Sequence, residues 1–110
     1  MEITMNLYYS GVGGMARMFV EEMESSGVAD AIRNEDGNLR YEYFLSLDDP
    51  ETVLLIDSWR DQTTLDAHHG LEMMEQISAL REKYDLHMSG ERFVPDGDAP
   101  ERDESFIKDE

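Results

Sequence analysis

The chain has 110 residues, no cysteine, and 26 acidic against 9 basic side chains, which give a net charge of −17. A chain of this length buries one compact core, so we expect a single domain. The acidity argues against binding to nucleic acid or to an anionic membrane, because both need a basic surface. The absence of cysteine excludes disulfides, thiolate nucleophiles and cysteine-ligated metal sites.

The sequence contains no segment typical of targeting or membrane insertion. Residues 1–4 do not combine a basic stretch with a following apolar core, as a secretory signal would. No stretch approaches the roughly 20 apolar residues of a membrane span. We therefore expect a cytoplasmic protein.

The first third of the chain predicts a strand followed by a helix. Residues 3–9 alternate between apolar and polar side chains, which is the period of a half-buried strand. From Met15 the apolar residues recur at helical spacing, and this first helix is predicted to end near residues 25–27. Val28 and Ile32 indicate one further short helical turn, and residues 34–38 have the composition of a tight turn.

The middle of the chain predicts a β-hairpin. Residues 39–47 are predicted to form a second strand and residues 52–59 a third, paired antiparallel across a connection that contains Pro50. Residues 53–56 are apolar at consecutive positions, which indicates that both faces of the third strand are covered. We expect a second copy of the chain to cover one of these faces.

The last predicted elements are a long helix over residues 62–84 and a strand over residues 86–94, with Asp61 or Thr63 as the helix cap. The apolar stripe of this helix consists of Leu65, His69, Met73, Ile77, Leu80 and Tyr84. The order strand, helix, strand, strand, helix, strand is typical of an α+β ferredoxin-like fold with both helices on one face of an antiparallel sheet. The free face of the sheet predicts a homodimer.

The composition changes after residue 95. Residues 1–95 are predicted to form the folded domain, and residues 96–110 an acidic C-terminal tail. Such a tail is usually solvated, but Phe106 and Ile107 offer an apolar segment that could dock on a neighbouring subunit.

Two adjacent histidines are candidates for proton transfer, because imidazole titrates near neutral pH. His68 and His69 lie about 100° apart around a helix, which makes them a poor pair for one metal ion, and we predict no metal site. His69 falls on the apolar stripe and His68 on its edge. His69 is therefore either a hydrogen-bonded core residue or a base that faces a cavity between helix and sheet.

Three further residues are candidate ligand contacts. Trp59 ends the third strand and is either a large core residue or a flat wall for an aromatic ligand. Asn6 on the first strand either donates to a ligand carbonyl or is simply exposed. Tyr41 shares a face with Tyr43, and their hydroxyls either bind ligand oxygen or support one another.

Four motifs occur in order along these elements: GNLRYEY at residues 37–43, LDDP at 47–50, IDSWRDQ at 56–62 and LDAHH at 65–69. Through them the chain resembles the antibiotic biosynthesis monooxygenase family over residues 3–94. The chain departs from the family at two positions. Glu often stands in the family where this chain has Asp57, and many members have a histidine where this chain has Met73.

The resemblance implies a dimeric α/β-barrel fold and a monooxygenase that needs no cofactor and acts on a small phenolic, quinol or polyketide-like molecule. In that hypothesis His69 or His68 is the base, Trp59 is the aromatic wall, and Asn6 and Tyr41 are polar anchors. Two alternatives remain at this point: a haem-binding or haem-degrading monooxygenase, and a non-enzymatic small-molecule-binding or stress-related dimer.

Overall fold

The computed structural model describes residues 1–98 and 100–107 of the chain. Its elements are β1 (Ile3–Ser10), α1 (Met15–Ser25), α2 (Val28–Arg33), β2 (Asn38–Leu45), β3 (Thr52–Trp59), α3 (Gln62–His69), α4 (Met73–Lys83), β4 (His87–Phe93) and a short 3-10 helix (Glu101–Phe106). The predicted third strand is confirmed at both ends, and the short turn after the first helix is confirmed as α2.

One antiparallel sheet with strand order β2-β3-β1-β4 carries the helices on one face. This arrangement confirms the predicted ferredoxin-like fold. The register places Ile3 opposite Trp59 and Tyr41 opposite Asp57. Because side chains alternate along a strand, the odd-numbered residues of β1 and β3 face the helices. In β2 the same holds from Tyr41 onward, after the irregularity between Asn38 and Arg40.

The core lies between the sheet and the helices. Phe19 and Met23 of α1, Ile32 of α2 and Leu55 of β3 are almost completely inaccessible to solvent. Their spacing follows the period of 3.6 in the helices and of 2 in the strands, which is why the sequence pattern predicted these elements. This core holds the helices in a fixed position over the sheet.

The predicted helix over residues 62–84 is wrong as a single helix. It is divided into α3 and α4 by residues 70–72. The amide of Gly70 donates to the carbonyls of Asp66 and Ala67 and ends α3. Asp61 caps the start of α3, because its carboxylate accepts the Thr64 amide at 2.9 Å. As a separate short helix, α3 buries Thr64, Leu65 and His68, so that His68 is buried and His69 is exposed, the reverse of the prediction.

The opposite face of the sheet has no covering layer within the single chain. Phe44, Leu54 and Ile56 lie on this face and are half-buried, and Phe93 at the end of β4 is 47% exposed. Burial of both faces of β3 was expected, but within one chain only the face toward the helices is covered.

The short 3-10 helix of the tail has no buried residue. Phe106 is 86% and Ile107 76% exposed in the single chain. The predicted docking of this segment on a second subunit remains a prediction, and residues 99 and 108–110 of the predicted tail lie outside the described residues. No helix in residues 1–98 and 100–107 has the length and apolar character required to span a bilayer.

Candidate functional site

A partly enclosed cavity of about 80 Å³ lies between the sheet and helices α3 and α4. The sheet contributes Leu7, Tyr9, Tyr41, Leu55, Asp57 and Met88. The helices contribute His68, His69, Met74, Ile77 and Arg81. Most of the wall is apolar, and a few ionisable groups converge on it, which is the usual character of a small-molecule site.

His68 is the most firmly held polar group of this cavity. Its side chain is 5% exposed, and its Nδ1 lies 2.8 Å from Oε2 of Glu35. Its ring stacks on the indole of Trp59 at a centroid distance of 4.7 Å and an angle of 29°. With Nδ1 donating to the carboxylate, Nε2 is the nitrogen that can accept a proton. The arrangement thus fixes both the orientation and the tautomer of the imidazole.

The position of Glu35 depends on the tight turn between α2 and β2. Gly37 in this turn has a φ of +87°, and a Cβ atom added there would overlap the Thr64 side chain. The amide of Arg60 also donates to the carbonyl of Gly37 at 2.8 Å. Glycine is needed here because only a residue without a side chain can approach the start of α3 so closely. This contact holds Glu35 against His68.

Asp57 is a second carboxylate in the cavity wall. Its side chain is buried, and this burial raises the pKa of the carboxyl to about 6. The charge of His68 acts in the opposite direction, as does the amide of Asn38, whose Nδ2 lies 3.4 Å from Oδ1 of Asp57. Burial dominates, so Asp57 titrates close to neutral pH, beside the imidazole.

Two buried tyrosine hydroxyls face the same space. Burial raises the pKa of Tyr9 to about 12 and that of Tyr41 further still. The hydroxyl of Tyr41 lies 3.0 Å from that of Tyr43, so one of them donates to the other. Both tyrosines of the cavity therefore remain protonated at physiological pH and can donate hydrogen bonds but not accept protons.

Arg81 supplies a positive charge at the cavity wall. It is half-buried, and its Nη1 lies 2.9 Å from the thioether sulfur of Met88. Its Nε is buried and has no hydrogen-bond partner among the described residues. A thioether is a weak acceptor, so this guanidinium is poorly satisfied by the protein itself.

The structure brings together only some of the predicted site residues. His68, His69 and Tyr41 line the cavity, with His69 exposed at its rim. Burial and the neighbouring charge of His68 lower the pKa of His69. Trp59 is completely buried behind His68 and does not belong to the cavity wall. Its indole Nε1 has no hydrogen-bond partner in the described part of the chain, although its approach to Asp57 helps to lower the pKa of that carboxyl.

Asn6 lies on the opposite face of the sheet from the cavity. It is part of a separate surface groove with Thr4, Arg40 and Ile56. The sheet stands between Asn6 and Tyr41, so the two cannot anchor one ligand within a single chain. The structure thus does not bring these two predicted anchors together, and a ligand contact of Asn6 stays a prediction.

Sequence reasoning missed four groups of the site: Glu35, Asp57, Tyr9 and Arg81. The signal for Asp57 and Tyr9 was available, because strand alternation places them on the helix-facing side with Leu55. Arg81 follows Ile77 by one helical turn and could have been found in the same way. Glu35 carries no such signal, since a turn residue 33 positions before His68 has no periodicity that connects them.

The described residues contain no group of three or more His, Cys, Asp or Glu side chains that could hold a metal ion. His68 and Glu35 form a pair, and Asp57 lies in the same wall, but together they do not make such a group. The polar groups of the cavity wall are thus acids, bases and hydrogen-bond donors.

Solved structures share this fold at low sequence identity. A Deinococcus radiodurans protein is 19% identical with a TM-score of 0.75, covering 91% of this chain and 97% of its own. Rv0793 from Mycobacterium tuberculosis is 17% identical with a TM-score of 0.74, covering 91% of this chain and all of its own. A mutant of SnoaB, a cofactor-independent oxygenase from Streptomyces nogalater, is 18% identical with a TM-score of 0.72, covering 91% and 98%.

No curated protein matches the sequence. The sequence does match the family described as antibiotic biosynthesis monooxygenase over residues 5–80, which include most of β1, all of β2 and β3, the cavity histidines and most of α4. This range is more than half of the chain and contains the four motifs that carried the resemblance. The chain belongs to the antibiotic biosynthesis monooxygenase family.

Proposed function

We propose that the protein is a cofactor-independent monooxygenase that acts on a small phenolic or quinol-like substrate. The observation that carries this proposal is His68, a buried imidazole at the cavity wall whose Nδ1 is held by Glu35. A base of this kind is the main requirement of the reaction, and family membership gives the reaction class. SnoaB, which has the same fold, is itself a cofactor-independent oxygenase.

In this proposal Nε2 of His68 accepts the proton of a substrate hydroxyl. The resulting phenolate is electron-rich and transfers one electron to dioxygen, which gives a substrate radical and superoxide. Their combination forms the new C–O bond. Loss of water then breaks the O–O bond and leaves a quinone carbonyl, so one oxygen atom enters the product and the other leaves as water with two substrate hydrogens.

The neighbours of His68 stabilise the charges that form when the proton is transferred. Glu35 and the ionised form of Asp57 both favour the imidazolium that exists after proton transfer. The protonated hydroxyls of Tyr9 and Tyr41 can donate to the phenolate oxygen, where negative charge develops. These groups are fixed before the substrate arrives, which limits the reorganisation that the reaction needs.

The size of the cavity favours a single-ring substrate over a fused polyketide. Ligand pockets of drug-sized molecules usually enclose about 300 Å³ or more, and this cavity has about 80 Å³. Met74 and Met88 line it, and flexible thioether side chains can move to admit a ring. A molecule of several fused rings would require displacement of helix α4 as well.

The residues do not fit a haem. A porphyrin is a drug-sized ligand, and the cavity is several times too small for one. Both histidines of the cavity wall, His68 and His69, lie in this small space, and the ring of His68 is stacked on Trp59, so the available volume is what excludes a porphyrin. We therefore derive no step through haem. Titration with haemin should give no shift of its Soret band that depends on His68.

We further propose that the chain forms a homodimer through the uncovered face of the sheet. Phe44, Leu54 and Ile56 lie on that face and are only half-buried in one chain. Contact between two such faces would bury their apolar side chains on both sides. The same contact would enclose the groove that contains Asn6.

The small cavity and its methionines also support a second candidate, a non-enzymatic binding module. Such a protein would bind a small apolar molecule without consuming oxygen. The two candidates differ in one measurement: the oxygenase consumes dioxygen in proportion to substrate, and the binding module does not.

The experiment that tests the proposed function is oxygen uptake with a panel of single-ring phenols and hydroquinones, corrected for autoxidation. His68→Gln should lower kcat/KM by about a hundredfold, the usual contribution of a general base. His69→Gln, at the exposed rim, should lower it much less, and His87→Gln on the surface of β4 should leave it unchanged. Equal activity in the His68→Gln variant would contradict His68 as the base. Absence of uptake with every substrate would contradict the oxygenase.

A further inference from the structure

Arg81 is the cationic group of the cavity, and its position on α4 directs it there. It follows Ile77 by one helical turn, and both residues line the cavity with Asp57 and His68. Its charge also reaches the opposite wall, since Arg81 lowers the pKa of Tyr9 against the effect of burial. The guanidinium therefore acts on the interior of the site.

Arg81 has no carboxylate partner, unlike four other cations of this acidic chain. Arg33, Arg40, Arg60 and Lys83 each lie within 4 Å of a carboxylate. Arg81 makes no such ion pair within residues 1–98 and 100–107, although the chain has 26 acidic residues. Arg17, Arg92 and Arg102 also make no ion pair among the described residues, but they are exposed to water, whereas Arg81 is half-buried. The lack of a carboxylate partner therefore requires an explanation at Arg81 alone.

The present partners of Arg81 leave its donors poorly used. One Nη1–H bond goes to the sulfur of Met88, and the buried Nε has no partner among the described residues. A guanidinium presents its Nε and Nη donors as a planar fork that matches the two oxygens of a carboxylate. A ligand carboxylate would therefore satisfy the Nε and replace the weak contact with sulfur.

We propose that Arg81 binds an anionic oxygen group of the ligand, so that the site takes a small aromatic acid rather than a neutral aromatic molecule. The ring would lie against Tyr41, Leu55 and Ile77, which belong to the cavity wall. Met88 is 45% exposed, and its displacement from Arg81 would also enlarge the cavity. This inference concerns the ligand class of the site proposed above, and it rests on that site being where substrate binds.

The test uses two probes of nearly equal shape, benzoate and benzamide, titrated into the full chain and followed by two-dimensional NMR. The wild-type protein should bind benzoate at least about tenfold more tightly than benzamide, because only the anion forms a charge-assisted pair with the guanidinium. Shifts should appear at the amides of the cavity residues. Equal affinity for the two probes, or binding of neither, would overturn the proposal.

Variants then assign the preference to Arg81. Arg81→Met keeps an unbranched, apolar stem but removes the guanidinium and its charge, and it should abolish the preference for benzoate. Arg17→Met removes the same charge from the exposed surface of α1 and should retain the preference. Arg81→Lys should retain a weakened preference even if Arg81→Met does not fold, because the charge remains and the planar fork is lost. A full preference in either Arg81 variant would contradict the assignment.

The binding measurement needs neither oxygen nor turnover, so it can fail separately from the proposed function. Oxygen uptake with neutral phenols and no preference for benzoate would refute only the role of Arg81. A preference for benzoate that disappears in Arg81→Met, without oxygen uptake for any substrate, would retain the anion site and refute the oxygenase.

Discussion

Replacement of Asp57 by Asn should stabilise the protein at neutral and alkaline pH. Burial raises the pKa of this carboxyl from 3.8 to about 6, so the folded chain binds the proton more tightly than the unfolded chain does. Ionised Asp57 therefore opposes folding. Each pH unit between the two pKa values is worth about 1.4 kcal/mol, which gives a cost of about 3 kcal/mol once the pH exceeds both.

The sign of this effect depends on pH. Well below pH 3.8 the carboxyl is protonated in both states, and Asp57→Asn should change the free energy of unfolding little. Between pH 4 and pH 6 the advantage of the variant should grow, and above pH 6 it should remain near its full value of about 3 kcal/mol. Asparagine retains an oxygen that can accept the weak hydrogen bond from Asn38.

The assay is urea denaturation at several pH values from 4 to 8, followed by fluorescence and far-UV circular dichroism. Trp59 is the only tryptophan of the chain and is completely buried, so its emission reports on the core next to Asp57. Asp48→Asn is the matched control, because it removes the same charge from an exposed loop and so measures the general effect of lower self-repulsion.

The reasoning would be refuted if Asp57→Asn were less stable than the wild type at pH 8, or if its advantage over Asp48→Asn did not change with pH. A gain in stability combined with reduced oxygen uptake would have a further meaning. Proteins retain a costly buried charge mainly where function requires it. Such a result would support a role for the ionised carboxylate beside the imidazole.

Three further predictions concern the turn, the tryptophan and the dimer. Gly37→Ala should destabilise the fold by about 1–3 kcal/mol in urea denaturation, because of its positive φ and the Thr64 side chain, whereas Gly97→Ala should have little effect. Trp59→Phe should cost about 1–3 kcal/mol but leave KM unchanged, since the indole is completely buried behind the cavity wall; a raised KM would contradict this. Sedimentation should give a dimer mass at micromolar concentration. Deletion of residues 96–110 removes only the short 3-10 helix and should leave α1 to α4 unchanged, but it should weaken the dimer if the tail docks on it.

The strands were predictable because alternation is a local property. Residues 52–59 were assigned to a strand from their own side chains, and the same alternation determines which of them share a face with the odd-numbered residues of β1. The sheet order also followed from the sequence of elements, since few topologies accommodate that order. The four family motifs led independently to the same fold.

The site was less predictable, because its groups meet only after packing. His69 was placed on the apolar stripe by extending one helical phase across Gly70, whereas α3 ends there and its own buried face contains His68. Asn6 was placed with Tyr41 without regard to the face of the sheet. In both cases the residue type indicated the chemistry of the side chain, but not which way the side chain faces.

The amino-acid sequence by itself determined the fold class, the element order and the presence of two histidines near a predicted cavity, because periodicity, caps and motifs are local patterns. Only the tertiary structure decided which histidine faces inward, and that Glu35 from a distant turn holds it. It also brought Asp57, Tyr9 and Arg81 into one wall from three elements. Such contacts arise from packing between distant segments. Burial and the charges of neighbouring groups set the pKa values of the site, and neither can be read from one segment alone.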